Sequence, residues 1–368
     1  MEFGLFSESG YRRDPVTARA YGEDIEEIVA ADRLGFREAW IAETNRVRAN
    51  TVTDANLLIC KAAGLTQQIR FGTGIRQLAL QHPVNVVREA NVCDHLTDGR
   101  YMLGYGGTHM ARLDQAVQRG FRYDQAETRA VVYESIELIM KCWTAVEPFD
   151  FEGRYWKAYG VNVLPKPFQQ PHAPIAAACS GTPETLQLAA RNGFIPLLSR
   201  GNDTPEEIRE RGDIYLQAAE TSARAASPAI FRVTRFVHVG ETDEQAREEL
   251  RDGATYVLER RKRDNPAVLQ DLIPPGGNLA DDVTYDYLID SGRYWVGSAD
   301  TVYQSIADYH EHCGGFGVLL LAVGLPVAPS ATRLASMERF MAQVAPRLGG
   351  LTPGPAIDHA AIVDAAPV

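Results

Sequence analysis

The chain has 368 residues, of which 45% are apolar and 23% charged, so it can bury a large core as one large α/β domain or two ordinary ones. Its formal net charge of −11 argues against a general nucleic-acid binder, which would need a basic face. The sequence has neither an apolar run near the ~20 residues of a membrane span nor the basic start and apolar segment of a signal peptide, which predicts a cytoplasmic protein with no membrane partner.

Eight short apolar runs, taken in chain order, have the length and composition of buried β-strands. They are EFGLF (2–6), EAWIA (38–42), IRFGTGI (69–75), YMLGY (101–105), IAAAC (175–179), IPLLS (195–199), FRVTRFVHV (231–239) and GVLLLA (317–322). Amphipathic patterns with the 3.6-residue period of a helix lie between them. Eight strands that alternate with helices predict a parallel α/β fold, and their number matches a (β/α)₈ barrel of the TIM type. An open doubly wound sheet is the alternative, but no G-x-G-x-x-G follows the first strand.

Two stretches interrupt this alternation. Residues 146–172, after the fourth helix, and residues 264–295, before the eighth strand, are rich in aromatic residues and proline. Long excursions in a compact fold are often lids or binding loops, and we expect two insertions here. We therefore predict a single barrel domain over residues 1–348, followed by a loosely packed tail at 349–368.

The residues that follow each strand are candidate site residues, because a TIM barrel has its active site at the carboxyl ends of its strands. They are Ser7, Glu8, Glu43, Thr44, Asn45, Arg76, Gln77, the stretch 105–109, the stretch 179–182, Ser199 and Arg200. The stretch GYGG (104–107) would let the backbone approach a flat ligand closely, although it could equally be a tight turn. The stretch SGT (180–182) precedes a helical pattern, so it could bind a phosphate or simply cap the helix.

The spacing of cysteines and histidines predicts no metal site and no disulfide framework. The five cysteines include no C-x-x-C pair, and the eight histidines include no H-x-x-x-H or H-E-x-x-H pattern. Cys60, Cys93 and Cys142 fall in helical patterns with apolar neighbours, so we expect them in the core. Cys179 ends the fifth strand, where a small apolar lining residue is a better interpretation than a reactive thiol, since no base is predicted beside it.

Several stretches together resemble the luciferase-like flavin monooxygenase superfamily. They are LTDGRYMLGYGGT with His82-Pro83 upstream, FEGRYW, LPKPFQQPHAPI followed by SGTPETLQLAARNG, and VGSADTVYQSI. The resemblance runs from Phe3 to about Leu348. It implies that reduced FMN (FMNH₂) from a separate flavin reductase reacts with O₂ at the barrel mouth. A flavin C4a-(hydro)peroxide would then transfer one oxygen atom to a small apolar substrate, such as a cyclic or terpenoid compound.

The resemblance also implies a cofactor site. The residues it assigns to FMN binding are Thr73, Gly74, Gly104, Tyr105, Gly106, Ser180, Gly181 and Thr182. Those at 180–182 would bind the phosphate, and the others would lie along the ring system, where relatives often have a non-proline cis peptide. Phe6 would line the substrate side, and Arg129 matches a family arginine whose role we leave open.

The chain departs from the family where catalysis is concerned. Many members have histidine where this chain has Thr44, and threonine cannot titrate near neutral pH. The remaining catalytic candidates are Asn45 as a hydrogen-bond donor, Glu43 as a structural or accepting carboxylate, and His82 or His109 as the acid–base group. His82 could instead be a packing residue at a helix start, and His109 a solvated loop residue. Gly107 replaces an arginine of the luciferases, so another arginine could bind the phosphate.

Three functions remain open at this point. The first is the FMNH₂-dependent monooxygenase, the second an F420-dependent oxidoreductase that transfers hydride, and the third a non-catalytic flavin-binding subunit. The family commonly dimerises through helices on the barrel flank, so the resemblance implies a homodimer, with a heterodimer as the alternative.

Overall fold

The computed structural model describes residues 1–11, 17–43, 52–106, 125–179, 181–264 and 266–351. The strands in these ranges are β1 (Glu2–Ser7), β2 (Glu38–Ile41), β3 (Arg70–Thr73), β4 (Arg76–Gln77), β5 (Tyr101–Gly106), β6 (Phe149–Glu152), β7 (Lys157–Val161), β8 (Ile175–Ala178), β9 (Ile195–Leu197), β10 (Arg232–Val239), β11 (Tyr294–Gly297) and β12 (Val318–Val323). The α-helices are α1 (Thr17–Leu34), α2 (Ala55–Ala63), α3 (Pro83–Leu96), α4 (Gln125–Thr144), α5 (Pro183–Asn192), α6 (Pro205–Thr221), α7 (Asp243–Asp264), α8 (Tyr285–Asp290), α9 (Ala299–His312), α10 (Ser330–Arg339) and α11 (Ala345–Leu348).

Eight parallel strands close into a barrel in the order β1, β2, β3, β5, β8, β9, β10 and β12. The ring closes because β12 pairs with β1 and because β9 pairs with β10, where Leu197 lies opposite Arg232. All eight predicted strands are the barrel strands, so the predicted barrel is confirmed and the open doubly wound sheet is wrong.

The barrel interior is filled by one large aromatic side chain and a buried ion pair. The ring of Trp40 occupies the space beside Gly72, where an added Cβ would lie 2.2 Å from that ring. The Trp40 indole donates to Glu38 at 2.8 Å, and Glu38 pairs with Arg232 at 2.6 Å from the far side of the ring. This packing fixes the strands beneath the mouth of the barrel.

Residues 149–161 form an antiparallel hairpin of β6 and β7, which the sequence analysis did not anticipate. The carboxylate of Glu134 on α4 accepts hydrogen bonds from the backbone N–H groups of Arg154, Tyr155 and Trp156 at 2.9, 2.8 and 2.6 Å. The hairpin is therefore held against α4 at its turn.

The second unusual stretch contains α8 and the first two residues of β11, which pairs in parallel with the upper half of β10. The ring of Tyr294 packs on Phe236 with centroids 4.5 Å apart, and Tyr285 is buried in the same apolar cluster. The aromatic residues of this stretch thus pack in order, as the sequence indicated. None of the helices in the described ranges combines the length and apolar character that crossing a bilayer requires.

Candidate functional site

A glycine wall, formed by Gly74, Gly104 and Gly106, lies at the carboxyl ends of β3 and β5. The peptide between Gly74 and Ile75 is cis, which agrees with the non-proline cis peptide that the resemblance implied. A Cβ added to Gly74 would lie 2.8 Å from the Phe6 ring, and one added to Gly106 would lie 2.7 Å from the Ile75 side chain. Both glycines are buried, and the missing Cβ atoms let the half-buried side chains of Phe6 and Ile75 pack directly on the backbone. A flat ligand could lie against these two side chains.

The two strands behind this wall are joined through Thr73. Its hydroxyl donates to the Gly104 carbonyl at 2.7 Å and accepts from the Gly104 N–H at 2.9 Å. An added Cβ at Gly104 would lie 1.9 Å from the Thr73 carbonyl oxygen, so only glycine permits this approach. Thr73 and Gly104 therefore hold the wall in place, and the Thr73 hydroxyl has both of its hydrogen bonds inside the protein.

The side chain of Tyr105 packs into the protein interior. Its ring meets Phe194 edge-to-face with centroids 5.9 Å apart, and it is 1% exposed. Burial raises the pKa of this phenol well above its ordinary value, with smaller contributions from Cys179 and two tyrosines. Within the described residues its hydroxyl has no hydrogen-bond partner. Only the backbone of Tyr105 could thus contribute to a binding surface at the glycine wall.

The start of α5 lies next to the end of β8. Thr182 is the N-cap residue in an extended conformation, and its side chain makes no capping hydrogen bond to the helix. A Cβ at Gly181 would meet nothing within 4 Å, and the expected phosphate residue Ser180 lies outside the described residues. The helix dipole favours an anion at this end, where the Glu184 carboxylate already accepts from its own backbone N–H.

Arg129 on α4 adds positive charge near the same helix start. The pKa of Glu184 in the first turn of α5 is below its ordinary value, first because of a backbone hydrogen bond, then because of the Thr182 hydroxyl, with the charge of Arg129 contributing. Arg129 is therefore close enough to influence a group bound there. The sequence flagged this residue but gave no signal for its position, since it lies more than fifty residues before α5.

Glu43 lies at the end of β2, with 4% of its surface exposed. One carboxylate oxygen, Oε2, accepts from Arg76 at 2.8 Å and from the Ala55 N–H at 3.2 Å, whereas Oε1 has no hydrogen-bond partner among the described residues. Burial raises the pKa of this carboxyl above its ordinary value, although the charge of Arg76 opposes the shift. This geometry supports the structural interpretation of Glu43.

Arg76, directly after the cis peptide, is the centre of a buried charge cluster. It is 2% exposed and pairs with Asp54 at 3.0 Å and with Glu89, in addition to Glu43. Its second terminal nitrogen also donates to Gln81 at 2.5 Å. The position of Arg76 after a strand is evident from the sequence, but the three acids come from separate elements, so no sequence pattern pairs them with it.

His82 caps α3 and supports the hairpin. Its Nδ1 accepts from the Val84 N–H at 3.3 Å, and its Nε2 donates to the Lys157 carbonyl at 3.3 Å. The ring also packs edge-to-face on Trp156, with centroids 5.2 Å apart. Both ring nitrogens thus have protein partners, which favours the packing interpretation of His82 over proton transfer. The other two catalytic candidates, Asn45 and His109, lie outside the described residues.

The sequence model of the family described as luciferase-like monooxygenase matches residues 1–314. The chain belongs to this luciferase-like family. The family assignment agrees with the barrel, with the cis peptide at the end of β3 and with the helix that begins just after β8.

Two curated relatives and one solved structure are similar along nearly the whole chain. The 4-hydroxyprotoasukamycin monooxygenase of Streptomyces nodosus subsp. asukaensis is 29% identical over 90% of this chain and 88% of its own. Limonene 1,2-monooxygenase of Rhodococcus erythropolis is 27% identical over 95% of this chain and 87% of its own. The oxygenating constituent of 3,6-diketocamphane monooxygenase from Pseudomonas putida, a type II Baeyer-Villiger monooxygenase solved with FMN, has a TM-score of 0.81 at 24% identity and covers 94% of this chain and 98% of its own.

Proposed function

We propose that this luciferase-like protein is the oxygenase of a two-component system. It would take reduced FMN from a separate flavin reductase, use O₂ as co-substrate and add one oxygen atom to a small apolar substrate. The observation that carries the proposal is the glycine wall beside the cis peptide, in a chain whose family and curated relatives are monooxygenases. The name of the solved neighbour, an oxygenating constituent, supports the separate reductase.

The described residues fit a flavin nucleotide at two points. Glycine at 74 and 106 lets Phe6 and Ile75 pack close to the backbone, and a flat ring could lie against these half-buried side chains. The uncapped start of α5 and the charge of Arg129 fit a phosphate. When bound, reduced FMN supplies the electrons that activate O₂, and the protein contributes position, electrostatics and exclusion of water.

The apolar substrate is supported by side chains of β1 and β12, which begin beside the glycine wall at Phe6. Phe6 lies opposite Ala322 in the strand register, and Ala322 belongs to a buried apolar cluster with Tyr11 and Phe236. Arg261, beside Tyr11, is neutralised by an ion pair with Glu8. A substrate that met these residues would find aromatic and aliphatic surface rather than charge.

In this proposal His109 transfers protons, and Asn45 donates a hydrogen bond to the substrate. Glu43 is bound to Arg76, and His82 has both nitrogens engaged, so neither is placed to exchange a proton with a ligand. Both assignments are predictions from the sequence, since these two residues lie outside the described ranges.

Titration of the chain with reduced FMN without oxygen, followed by turnover with a flavin reductase and ¹⁸O₂, tests the proposal. We expect one labelled oxygen atom in the product of a monoterpene or cyclic ketone. Arg129→Ala should weaken reduced-FMN binding by roughly tenfold, which corresponds to ~1.4 kcal/mol for a lost charged contact. Arg191→Ala, near the other end of α5, is the matched control and should leave the affinity unchanged.

Two results would replace the proposal with the alternatives from the sequence. Binding of F420 without any affinity for FMN would indicate hydride transfer. Flavin binding without an oxygenated product from any substrate in the panel would indicate a non-catalytic flavin-binding subunit.

A further inference from the structure

Two cysteines from different helices are in contact beside the Arg76 cluster. The sulfur atoms of Cys60 on α2 and Cys93 on α3 are 3.6 Å apart, although the residues are 33 positions apart in the chain. Cys60 is half-buried and Cys93 is buried. The other three cysteines, Cys142, Cys179 and Cys313, are buried and free. The sequence analysis treated Cys60 and Cys93 as core residues, because nothing in their spacing indicates that they meet.

The contact makes the two thiols chemically different. A hydrogen bond from the Cys93 thiol lowers the pKa of Cys60, since it stabilises the Cys60 thiolate. The same contact and burial raise the pKa of Cys93. The thiolate is the reactive form of cysteine, so Cys60 has the character of an attacking group and Cys93 that of a resolving thiol.

We propose that Cys60 and Cys93 form an oxidisable dithiol that a hydroperoxide converts into a disulfide between α2 and α3. The Cys60 thiolate would attack one oxygen of hydrogen peroxide, forming a sulfenic acid and releasing water after protonation of the leaving hydroxide. The Cys93 sulfur would then attack the sulfenic sulfur and release a second water. Two thiols and one peroxide thus give one disulfide and two waters. This inference does not depend on the proposed oxygenation.

The two sulfur atoms are close to bonding distance. A disulfide has a sulfur–sulfur length of about 2.05 Å, so the two atoms must approach by about 1.5 Å from their present separation. The bond would join helices that already hold a common partner, because Asp54 caps the start of α2, Glu89 is on α3, and both pair with Arg76. Oxidation would therefore fix α2 relative to α3 behind the cis peptide.

The test treats the full-length reduced protein with hydrogen peroxide and counts thiols after denaturation. We expect the count to fall from the five of the sequence by two, with one cross-linked peptide that contains Cys60 and Cys93 and with full recovery after dithiothreitol. Cys142→Ser is the matched control and should lose two thiols in the same way. Cys60→Ser should lose none at matched exposure.

A second variant separates the proposed roles of the two sulfurs. Cys93→Ser removes the resolving thiol, so peroxide should leave a sulfenic acid on Cys60 that dimedone captures, whereas Cys60→Ser should give no adduct on Cys93. Three results would overturn the proposal. They are a peroxide-treated protein that keeps all five thiols, a disulfide that involves any other cysteine, and a Cys60–Cys60 disulfide between two copies of the chain.

Discussion

Arg76 is a charged residue kept from solvent by three carboxylates. Glu43, Asp54 and Glu89 surround its guanidinium, and each comes from a different part of the chain. Charges removed from water are stabilising only when they are paired with good geometry. Within the described part of the chain, all three carboxylates pair with Arg76. The cluster lies directly after the cis peptide. It therefore helps to hold β4 and the glycine wall in position.

Replacing Arg76 with methionine should lower the free energy of unfolding by ~3 kcal/mol, because it removes the cation that pairs with the buried Glu43 carboxylate. The pKa of Glu43 is already raised by burial and should rise further in the variant. A raised carboxyl pKa means that the folded state binds the proton more tightly. The contribution of Glu43 to the free energy of unfolding is therefore greatest at low pH. It is lost as the pH rises through the pKa of Glu43 in the folded state. Urea unfolding at several pH values should show a deficit that is larger at neutral pH than in acid.

Arg247→Met is the matched control for this experiment. Arg247 pairs with Asp290 at 2.8 Å, but both side chains are well exposed, with 35% and 63% of their surface accessible. A surface pair contributes about 0–1 kcal/mol, so the loss should be small and nearly independent of pH. An equal loss from both arginines would show that burial of the cluster is not what makes Arg76 important.

The roles of individual residues could be predicted from the sequence only in part. Glu43 was identified from its position after a strand, but its partner could not be, because ion pairs between distant elements leave no periodic signal. The choice between packing and catalysis at His82 depended on Lys157 and Trp156, which lie on a hairpin that was not predicted. The cis peptide at Gly74 was expected from the resemblance alone, since no local pattern distinguishes it.

At the scale of elements, the β6–β7 hairpin is stabilised from outside. Its strands alternate irregularly and are largely exposed, which is why their pattern does not resemble a buried strand. The Glu134 carboxylate holds the turn between the two strands by accepting from three consecutive N–H groups. Gly153 gives the Glu134 carboxylate room at the turn, because a Cβ there would lie 2.1 Å from it.

Glu134→Ala should loosen this hairpin without unfolding the barrel. A hydrogen bond to a charged group contributes about 1.5–3 kcal/mol, so loss of the carboxylate should raise local opening by at least roughly tenfold. Hydrogen exchange of the backbone amides at 154–156 should become faster, while the amides of the barrel strands keep their rates.

Glu137→Ala provides the comparison, since Glu137 is exposed on the same helix one turn away. It should leave exchange at 154–156 unchanged. Faster exchange throughout the protein in Glu134→Ala would contradict a local role for the carboxylate.

For the whole molecule, the alternation of strands and helices was sufficient to predict every barrel strand, because each is a buried apolar run between amphipathic helices. The alternation alone did not predict that the sheet closes into a barrel, since an open sheet has the same pattern. It depends on β9 meeting β10 and on the Glu38–Arg232 pair across the interior. The strand β11 was missed because it lies within a stretch whose aromatic content suggested an insertion.

The predicted homodimer can be tested at a patch of exposed apolar side chains on the barrel flank. Leu96, Leu164 and Phe168 are 59%, 65% and 53% exposed, and His95 links them by donating to the Lys166 carbonyl at 2.9 Å and packing on Phe168. Burial of a leucine contributes about 1.5–3 kcal/mol, so the combined variant Leu96→Asp/Leu164→Asp should weaken a dimer through this patch by roughly a hundredfold or more in sedimentation equilibrium.

Val146→Asp is the control, because it changes an apolar residue that is 89% exposed outside the patch, and this variant should dimerise like the unmodified chain. A chain that sediments as a monomer before any substitution would exclude the homodimer, and a variant that dimerises with unchanged affinity would show that the two copies meet elsewhere.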